Sequence, residues 1–471
     1  MGLVEPLNAV RGLPLSSINE IKAGYECSDP RVNRLWENIK WSTLSNFVSI
    51  PMDCSQRNER LGWMGDISVY SPSAVKMADL NSLLRRYLGS VRDCTHPDGR
   101  FPDVAPTGFG FGGLLWGSAG IIVPWEHYLQ YGDKEVLREM YPSMKGYVDY
   151  ILRKTIEPET GLIVQNRAWG DLGDWLSPVY NRDDKSLIWE CYFIYDLDIM
   201  SRVAGVVGDN EGRERFASLR DERKKFFNDT YINLSDGRTL FSSFDQSRKG
   251  DIVDTQISYA LPIVFCVSDD PRLAGHLVEA VCRRDTTDSG VLTSPCSLMT
   301  GFIGTAWISK ALSEIGRPDL AYRLLCSEDY PSWLYPVKQG ATTIWERLDS
   351  YTREIGFGVN NSMNSFNHYS FGSVADWLLT RSIGIQVRPG ITPGTVTIAP
   401  EPDPTGNLTY ARGYMDLPEG RVESGWRIAD NGDIVYELTV PAGMEATFIP
   451  YGGTPRHLDA GNHSIRVSKN S

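Results

Sequence analysis

A mainly α fold, an (α/α)6 barrel of six helical hairpins followed by a small C-terminal antiparallel β-sandwich, is what this sequence predicts. From about Asp29 to Thr380, helix-like and loop-like stretches alternate about a dozen times. After Ser382 the pattern changes to short alternating apolar and polar runs between Gly, Pro and Asn breaks. The length, 471 residues, exceeds one ordinary domain. The expected division is an N-terminal arm over 1–24, the barrel over 25–381 and the sandwich over 382–471. An open helical solenoid is the alternative for the helical part, but no fixed-period repeat supports it.

The elements follow in order. "SDPRVNRLWENIKWSTLSNF" opens with Ser28, Asp29 and Pro30, a good helix start, and then places Val32, Leu35, Trp36 and Ile39 at helical spacing. "LNSLLRRYLGSVRDC" repeats the pattern through Leu80, Leu83, Leu84, Tyr87 and Val91. "KEVLREMYPSMKGYVDYILRK" does so through Val136, Leu137, Met140, Met144, Tyr147, Val148 and Ile151. Further helices are expected near 186–206, 211–229, 255–266, 271–283, 300–315, 317–326 and 362–380. "IGIQVRPGITPGTVTIAPEP" and "GDIVYELTVPAGMEATFIP" read as sandwich strands, with Gly390, Pro393 and Gly394 at tight turns.

Bulk properties narrow the function. A net charge of −12 argues against nucleic acid or an anionic membrane as partner. No apolar run reaches membrane-spanning length, and "MGLVEPLNAVRGLPLSS" lacks the basic-then-apolar plan of a secretory leader. The eight cysteines are scattered without a CxxC pair, which reads as reduced core residues and a cytoplasmic location. Six histidines without HxxxH or HExxH spacing imply no metal, and nothing implies a cofactor. Thirteen tryptophans and twenty-two tyrosines, many beside Gly, Asp or Asn, suit a carbohydrate site, where rings stack on sugar C–H bonds and acids take hydroxyls.

The densest chemistry lies in "DCSQRNERLGWMGD", Asp53 to Asp66. A solvated helix would not crowd three acids and two arginines around Gly62, Trp63 and Gly65. Two readings stand: a salt-bridge knot that fixes a loop, or carboxylates held by arginines with a sugar ring against Trp63. Asp53 and Asp66 would raise the Glu59 carboxyl pKa, whereas Arg57 and Arg60 would lower it.

This stretch resembles the signature of the bacterial α-L-rhamnosidases of glycoside hydrolase family 78, which remove terminal L-rhamnose with inversion. Further blocks follow in family order: "RFPDVAP", "GDLGDWLSP", "LMTGFIGTAWISKALSEIGRPDLAYRLL", "DYPSWLYPVKQGATTIWERLDSY", "SMNSFNHYSFGSVADWLL" and "GIQVRPGITPGTVTIAP". The resemblance implies an (α/α)6 catalytic barrel with a C-terminal β-sandwich. It implies Glu59 as general acid and Glu346 as general base, acting on rhamnosylated plant glycosides or oligosaccharides. Asp53, Arg57 and Asp66 would hold rhamnose hydroxyls, and Trp63, Trp116, Trp169 and Trp175 would wall the pocket. Trp345 flanks the base, and Asp174 and His368 are further binding candidates. A six-hairpin glycosidase for another sugar and a carbohydrate-binding pseudoenzyme are the rival readings.

The chain departs from the family pattern at several positions. Ser55, Asn58 and Met64 stand where Pro, Asp and Thr are more frequent, and Leu348 replaces a frequent Trp. Ser118 stands where Asp is common, which puts the substrate in doubt. Most relatives carry β-sandwich domains upstream, so the chain reads as a compact member or a fragment. The barrel face they would cover is expected to be closed by a two-fold dimer or by the N-terminal arm.

Overall fold

The computed structural model describes residues 13–108, 112–164, 170–242, 246–358 and 364–468. Among these residues, two concentric rings of helices form the larger part. The inner ring runs through Met64–Met77, Ala119–Tyr131, Lys185–Val207, Gln256–Val264, Ile308–Glu314 and Val374–Trp377. Each packs on the next, and Val374–Trp377 packs on both Ile308–Glu314 and Met64–Met77, which closes the ring. The outer ring consists of Pro30–Asn46, Asn81–Asp93, Lys134–Tyr150, Asn210–Tyr231, Arg272–Cys282 and Pro318–Cys326. The chain alternates outer and inner helices, as six hairpins require.

Outer helices look like surface helices. Asn81–Asp93 buries Leu83, Leu84, Tyr87, Leu88 and Val91 and turns its arginines outward. Pro30–Asn46 starts at Asp29, whose side chain accepts from the Arg31 amide, with Pro at the first position. Inner helices are buried nearly all round: Met64–Met77 leaves Lys76 alone short of full burial. Two inner helices, Met64–Met77 and Ala119–Tyr131, arise where the sequence pattern gave no helix. Without an exposed face they show no polar stripe, and each carries an internal proline, Pro72 and Pro124. The expected helix 300–315 breaks into Phe302–Thr305 and Ile308–Glu314, and the expected helix 362–380 begins only at Ser370.

The C-terminal unit is a sandwich of two sheets. One has the order Ala23–Cys27, Tyr410–Leu417, Gly420–Ile428, Ile434–Val440, Gly461–Val467, and is antiparallel throughout. The other has the order Arg456–Leu458, Glu445–Phe448, Thr395–Ile398, Ile385–Gln386, with one parallel pair, Thr395–Ile398 on Glu445–Phe448. The first sheet's edge strand comes from the other end of the chain: Ala23 to Cys27 pair with Met415 to Ala411. The expected boundary at residue 24 therefore falls inside a strand. Just before it, Lys22 donates its backbone N–H to Met77 and Ile21 bridges Ala78, so this segment lies on the end of an inner helix.

Polar groups fix the joint between barrel and sandwich. Ser382 Oγ meets Tyr25 Oη at 3.0 Å and accepts from Tyr322 at 2.9 Å. The Ser382 carbonyl accepts from Trp426 Nε1 at 2.9 Å. No helix among the described residues is long and apolar enough to cross a membrane.

Candidate active site

The Asp53–Asp66 stretch runs as a loop into the N-terminus of the inner helix Met64–Met77. Its glycines answer to close approach. A Cβ on Gly62 would lie 2.2 Å from the Ala105 carbonyl oxygen, and one on Gly65 would lie 2.4 Å from the Trp116 ring. Asp66 sits in the first turn of the helix, where the helix dipole favours a carboxylate. The neighbouring "RFPDVAP" loop supports the entry. The Asp103 carbonyl accepts the Met64 N–H, and the Asp103 carboxylate accepts the Gly112 and Gly113 amides at 2.6 and 3.1 Å.

Three segments distant in sequence are stitched together here. Cys54 bridges His368, and Gln56 Nε2 donates to Ser365 Oγ at 2.7 Å. Glu346 N–H donates to the Ser365 carbonyl and His368 N–H to the Ile344 carbonyl. This brings the two glutamates against one guanidinium. Arg57 pairs with Glu59 through Nη2 and through Nε at 3.0 Å, and its Nη1 lies 3.3 Å from Glu346 Oε2. Trp63 Nε1 donates to Glu59 Oε1 at 2.6 Å. Arg60 plays no part in this pairing. With φ at 52°, it turns away and donates to the Ser55 carbonyl.

Behind the glutamates lies a second charged layer. His368 Nε2 is 2.7 Å from Asp66 Oδ1, which also accepts from Ser370 Oγ at 2.7 Å. Asp53 is fully buried, and its Oδ1 accepts the Leu61 amide at 2.7 Å.

The electrostatics follow from this packing. Burial works to lower the His368 pKa, but Glu346 and Asp66 outweigh it and lift it to about 9. Burial drives Asp53 well above the usual carboxylate range, against the pull of His368. Burial also acts to raise Glu59, yet the Arg57 bonds and charge, with the Trp63 N–H, hold it below its ordinary value. Between the opposing influences expected from the sequence, Arg57 therefore prevails over the neighbouring acids. Glu346, 4% exposed, is raised by burial against the pull of His368 and Arg57.

Asp53, Cys54 and His368 bring candidate metal-ligand atoms within 4.8 Å of one another. A protonated His368, engaged with Asp66, is a poor donor set for a cation.

Other expected residues divide. Trp63 is half-buried at the helix start. Trp116 is buried against Gly65 and Gly112, behind the loop. Trp175 is partly buried and accepts the Phe302 amide on its carbonyl. Trp345 is buried edge-on to Phe366, with ring centroids 5.1 Å apart. Trp169 lies outside the described residues. Asp174 is fully buried, and its two oxygens accept the Gly301 and Gly304 amides at 2.7 and 3.0 Å. Those carboxylate bonds anchor the Phe302–Thr305 helix. Ser118 is fully buried and donates to Asp196 Oδ2 at 2.6 Å, so a carboxylate from a neighbouring inner helix stands beside it. Asp103, Ser370 and Asp196 went unmarked in the sequence. The first two lie within the quoted blocks "RFPDVAP" and "SMNSFNHYSFGSVADWLL", but only the fold shows what they hold.

Comparison with known proteins bears on this geometry. Residues 21–381 match the bacterial alpha-L-rhamnosidase 6 hairpin glycosidase domain, and residues 384–462 match the C-terminal domain of the same proteins. An alpha-L-rhamnosidase of Streptomyces avermitilis is 35% identical over 90% of this chain and 38% of its own length. One from an Alteromonas species is 32% identical over 90% of this chain and 44% of its own. The chain thus spans less than half the length of these curated relatives. Among solved structures, the Streptomyces avermitilis enzyme complexed with L-rhamnose superposes with a TM-score of 0.81 at 31% identity, covering 95% of this chain and 42% of that one. The native enzyme of Aspergillus terreus gives 0.82 at 30% identity, covering 96% and 50%.

Proposed function

Because the chain belongs to the bacterial α-L-rhamnosidase family of six-hairpin glycosidases, we propose that it hydrolyses terminal non-reducing α-L-rhamnosides of plant glycosides or oligosaccharides, with inversion. The observation that carries this reading is the Arg57 guanidinium in contact with both Glu59 and Glu346, which gathers the two carboxylates at one place.

Inversion needs one carboxyl to protonate the leaving oxygen and a second to activate water on the opposite face, with a separation of roughly 6.5–9.5 Å. Glu59 is the acid in this reading and Glu346 the base. With Arg57 on it, the Glu59 carboxyl is held below its ordinary value, which favours its ionised form. Rhamnose hydroxyls that draw Arg57 away would let burial raise Glu59 toward a proton-carrying state. Glu346 needs no such change. Burial makes it a stronger base than a free carboxylate, while His368 favours its ionised form. Asp66, oriented by His368 and Ser370, and Asp53 would accept sugar hydroxyls, with Trp63 beside the ring.

Following the product anomer by NMR during hydrolysis of an aryl α-L-rhamnoside tests sugar and stereochemistry together. First-formed β-L-rhamnose supports the reading, and first-formed α-anomer rejects the base role. A panel of other nitrophenyl glycosides cleaved in place of the rhamnoside would reassign the sugar. A cytoplasmic location and two-fold self-association are further proposals, the second tested by light scattering on the full chain.

A further inference from the structure

The acid cluster lies at the N-terminal end of the inner helix Met64–Met77. The opposite ends of the inner helices enclose a separate cavity of about 360 Å³, partly roofed by residues 386–397 of the C-terminal unit. Its lining is charged, although it plays no part in the chemistry above. Buried Asp376 is shared by two ammonium groups, Lys76 at 2.8 Å and Lys310. Lys76 also donates to the Pro72 carbonyl at 2.8 Å, and Lys310 lies 4.5 Å from the centre of the Trp307 ring. Glu126, only 8% exposed, lines the same space and makes no hydrogen bond or ion pair with any described residue. Tyr195 also lines it, one ring face stacked on Phe265 at 4.2 Å and its hydroxyl unbonded among the described residues.

Glu126 feels the charges of Lys76, Lys310 and Arg388 but forms no direct ion pair with any of them, a costly arrangement for a nearly buried carboxylate, and an apolar side chain there would close the barrel end more cheaply. The arrangement therefore suits a ligand. Glu126, Glu314 and Asp376 oppose an anion, and Lys76, Lys310, Arg381 and Arg388 oppose a cation. A hydroxyl, which donates and accepts at one atom, can satisfy an ammonium and a carboxylate side by side. The volume lies at the small end of ligand pockets.

We propose that this cavity binds a small neutral polyhydroxylated ligand, a mono- or disaccharide, between Glu126, Lys76, Lys310 and Tyr195, independently of the Glu59–Glu346 site. The inference does not depend on rhamnosidase activity, because its test reads binding rather than turnover. The full chain is titrated calorimetrically with methyl α-D-glucoside, L-rhamnose and, separately, inorganic phosphate, each to about 50 mM, a range that covers millimolar affinity. The expected result is a saturable event for at least one of the sugars that persists in Asp66→Ala and weakens about tenfold or more in Glu126→Leu, which loses a charged acceptor. Tyr195→Phe removes a single hydroxyl and should weaken the same event, giving a second readout if Glu126→Leu does not fold. Three results would each overturn the proposal: no saturable sugar binding beyond that lost in Asp66→Ala, sugar binding unchanged in the cavity variants, or binding of phosphate in place of sugar.

Discussion

Replacing Glu59 by Gln removes proton donation while keeping the size of the side chain. The resting carboxylate accepts from Arg57 Nε at 3.0 Å and from Trp63 Nε1 at 2.6 Å. Glutamine keeps an oxygen for Trp63 but turns an NH2 toward Arg57, so two donors meet and the ion pair is lost. With side chains 23% and 26% exposed, that pair contributes about 1 kcal/mol or less to folding. The melting temperature should hardly change, and the loss should appear in the rate. General-acid donation contributes roughly 100-fold or more, and 100-fold corresponds to about 2.7 kcal/mol of barrier. The assay compares kcat on an alkyl or natural rhamnoside with kcat on a nitrophenyl rhamnoside, whose leaving group needs little protonation. The natural substrate should lose about two orders of magnitude or more and the activated one clearly less. Equal losses on both would remove Glu59 from the acid role.

Glu346→Ala should suppress both substrates alike, since water activation is needed whatever the leaving group, and azide should restore part of the turnover of the activated one; near-normal activity would reject the base assignment. The His368 network should leave a mark on stability against pH. Its folded pKa of about 9 lies above the ordinary 6.5, so its contribution is fully present below pH 6.5 and is lost as pH rises through 9. Melting curves of wild type and His368→Gln should converge across that window, and a constant gap would mean that the charge plays no part. Asp174→Ala strips two buried amides of their acceptor, at about 1–3 kcal/mol each. Its thermal loss should be accompanied by reduced activity, and a stability loss with unchanged kinetics would show that the Phe302–Thr305 helix does not position the site.

What the sequence disclosed, and what it hid, have physical reasons. Outer helices such as Asn81–Asp93 keep a wet face, so their apolar stripes stand out. The inner helices Met64–Met77 and Ala119–Tyr131 touch protein on every side, and a helix without a polar face leaves no period to read. Residues 364–369, expected to be helical, instead form an irregular segment that bonds to both Cys54 and Glu346. That pairing is long-range, and local spacing cannot disclose it. Within the motif, the residue types disclosed a cluster of acids and arginines but not its pairings. Arg57 and Arg60 look equivalent in the string, yet one contacts both glutamates and the other holds the loop's own backbone. Nor does the string disclose that Asp174 accepts two amides at a helix start.

The strand Ala23–Cys27 carries the last prediction, because it makes the two ends of the chain interdependent. It buries Ala23, Tyr25 and Cys27, pairs along its whole length with Ala411–Met415, and reaches Ser382 through the Tyr25 hydroxyl. A chain beginning at Gly24 loses the preceding arm but keeps nearly all of the pairing. A chain beginning at Ser28 loses the strand, and deleting one large buried aromatic such as Tyr25 alone costs about 3–5 kcal/mol. It also uncovers the edge of Tyr410–Leu417, an unpaired strand ready to pair with a second copy. The Ser28 chain should therefore melt well below the full chain and self-associate in light scattering, while the Gly24 chain should show a much smaller shift. If all three lengths melt together as monomers, the strand is an ornament of the sandwich, and the barrel and C-terminal unit are held together without it.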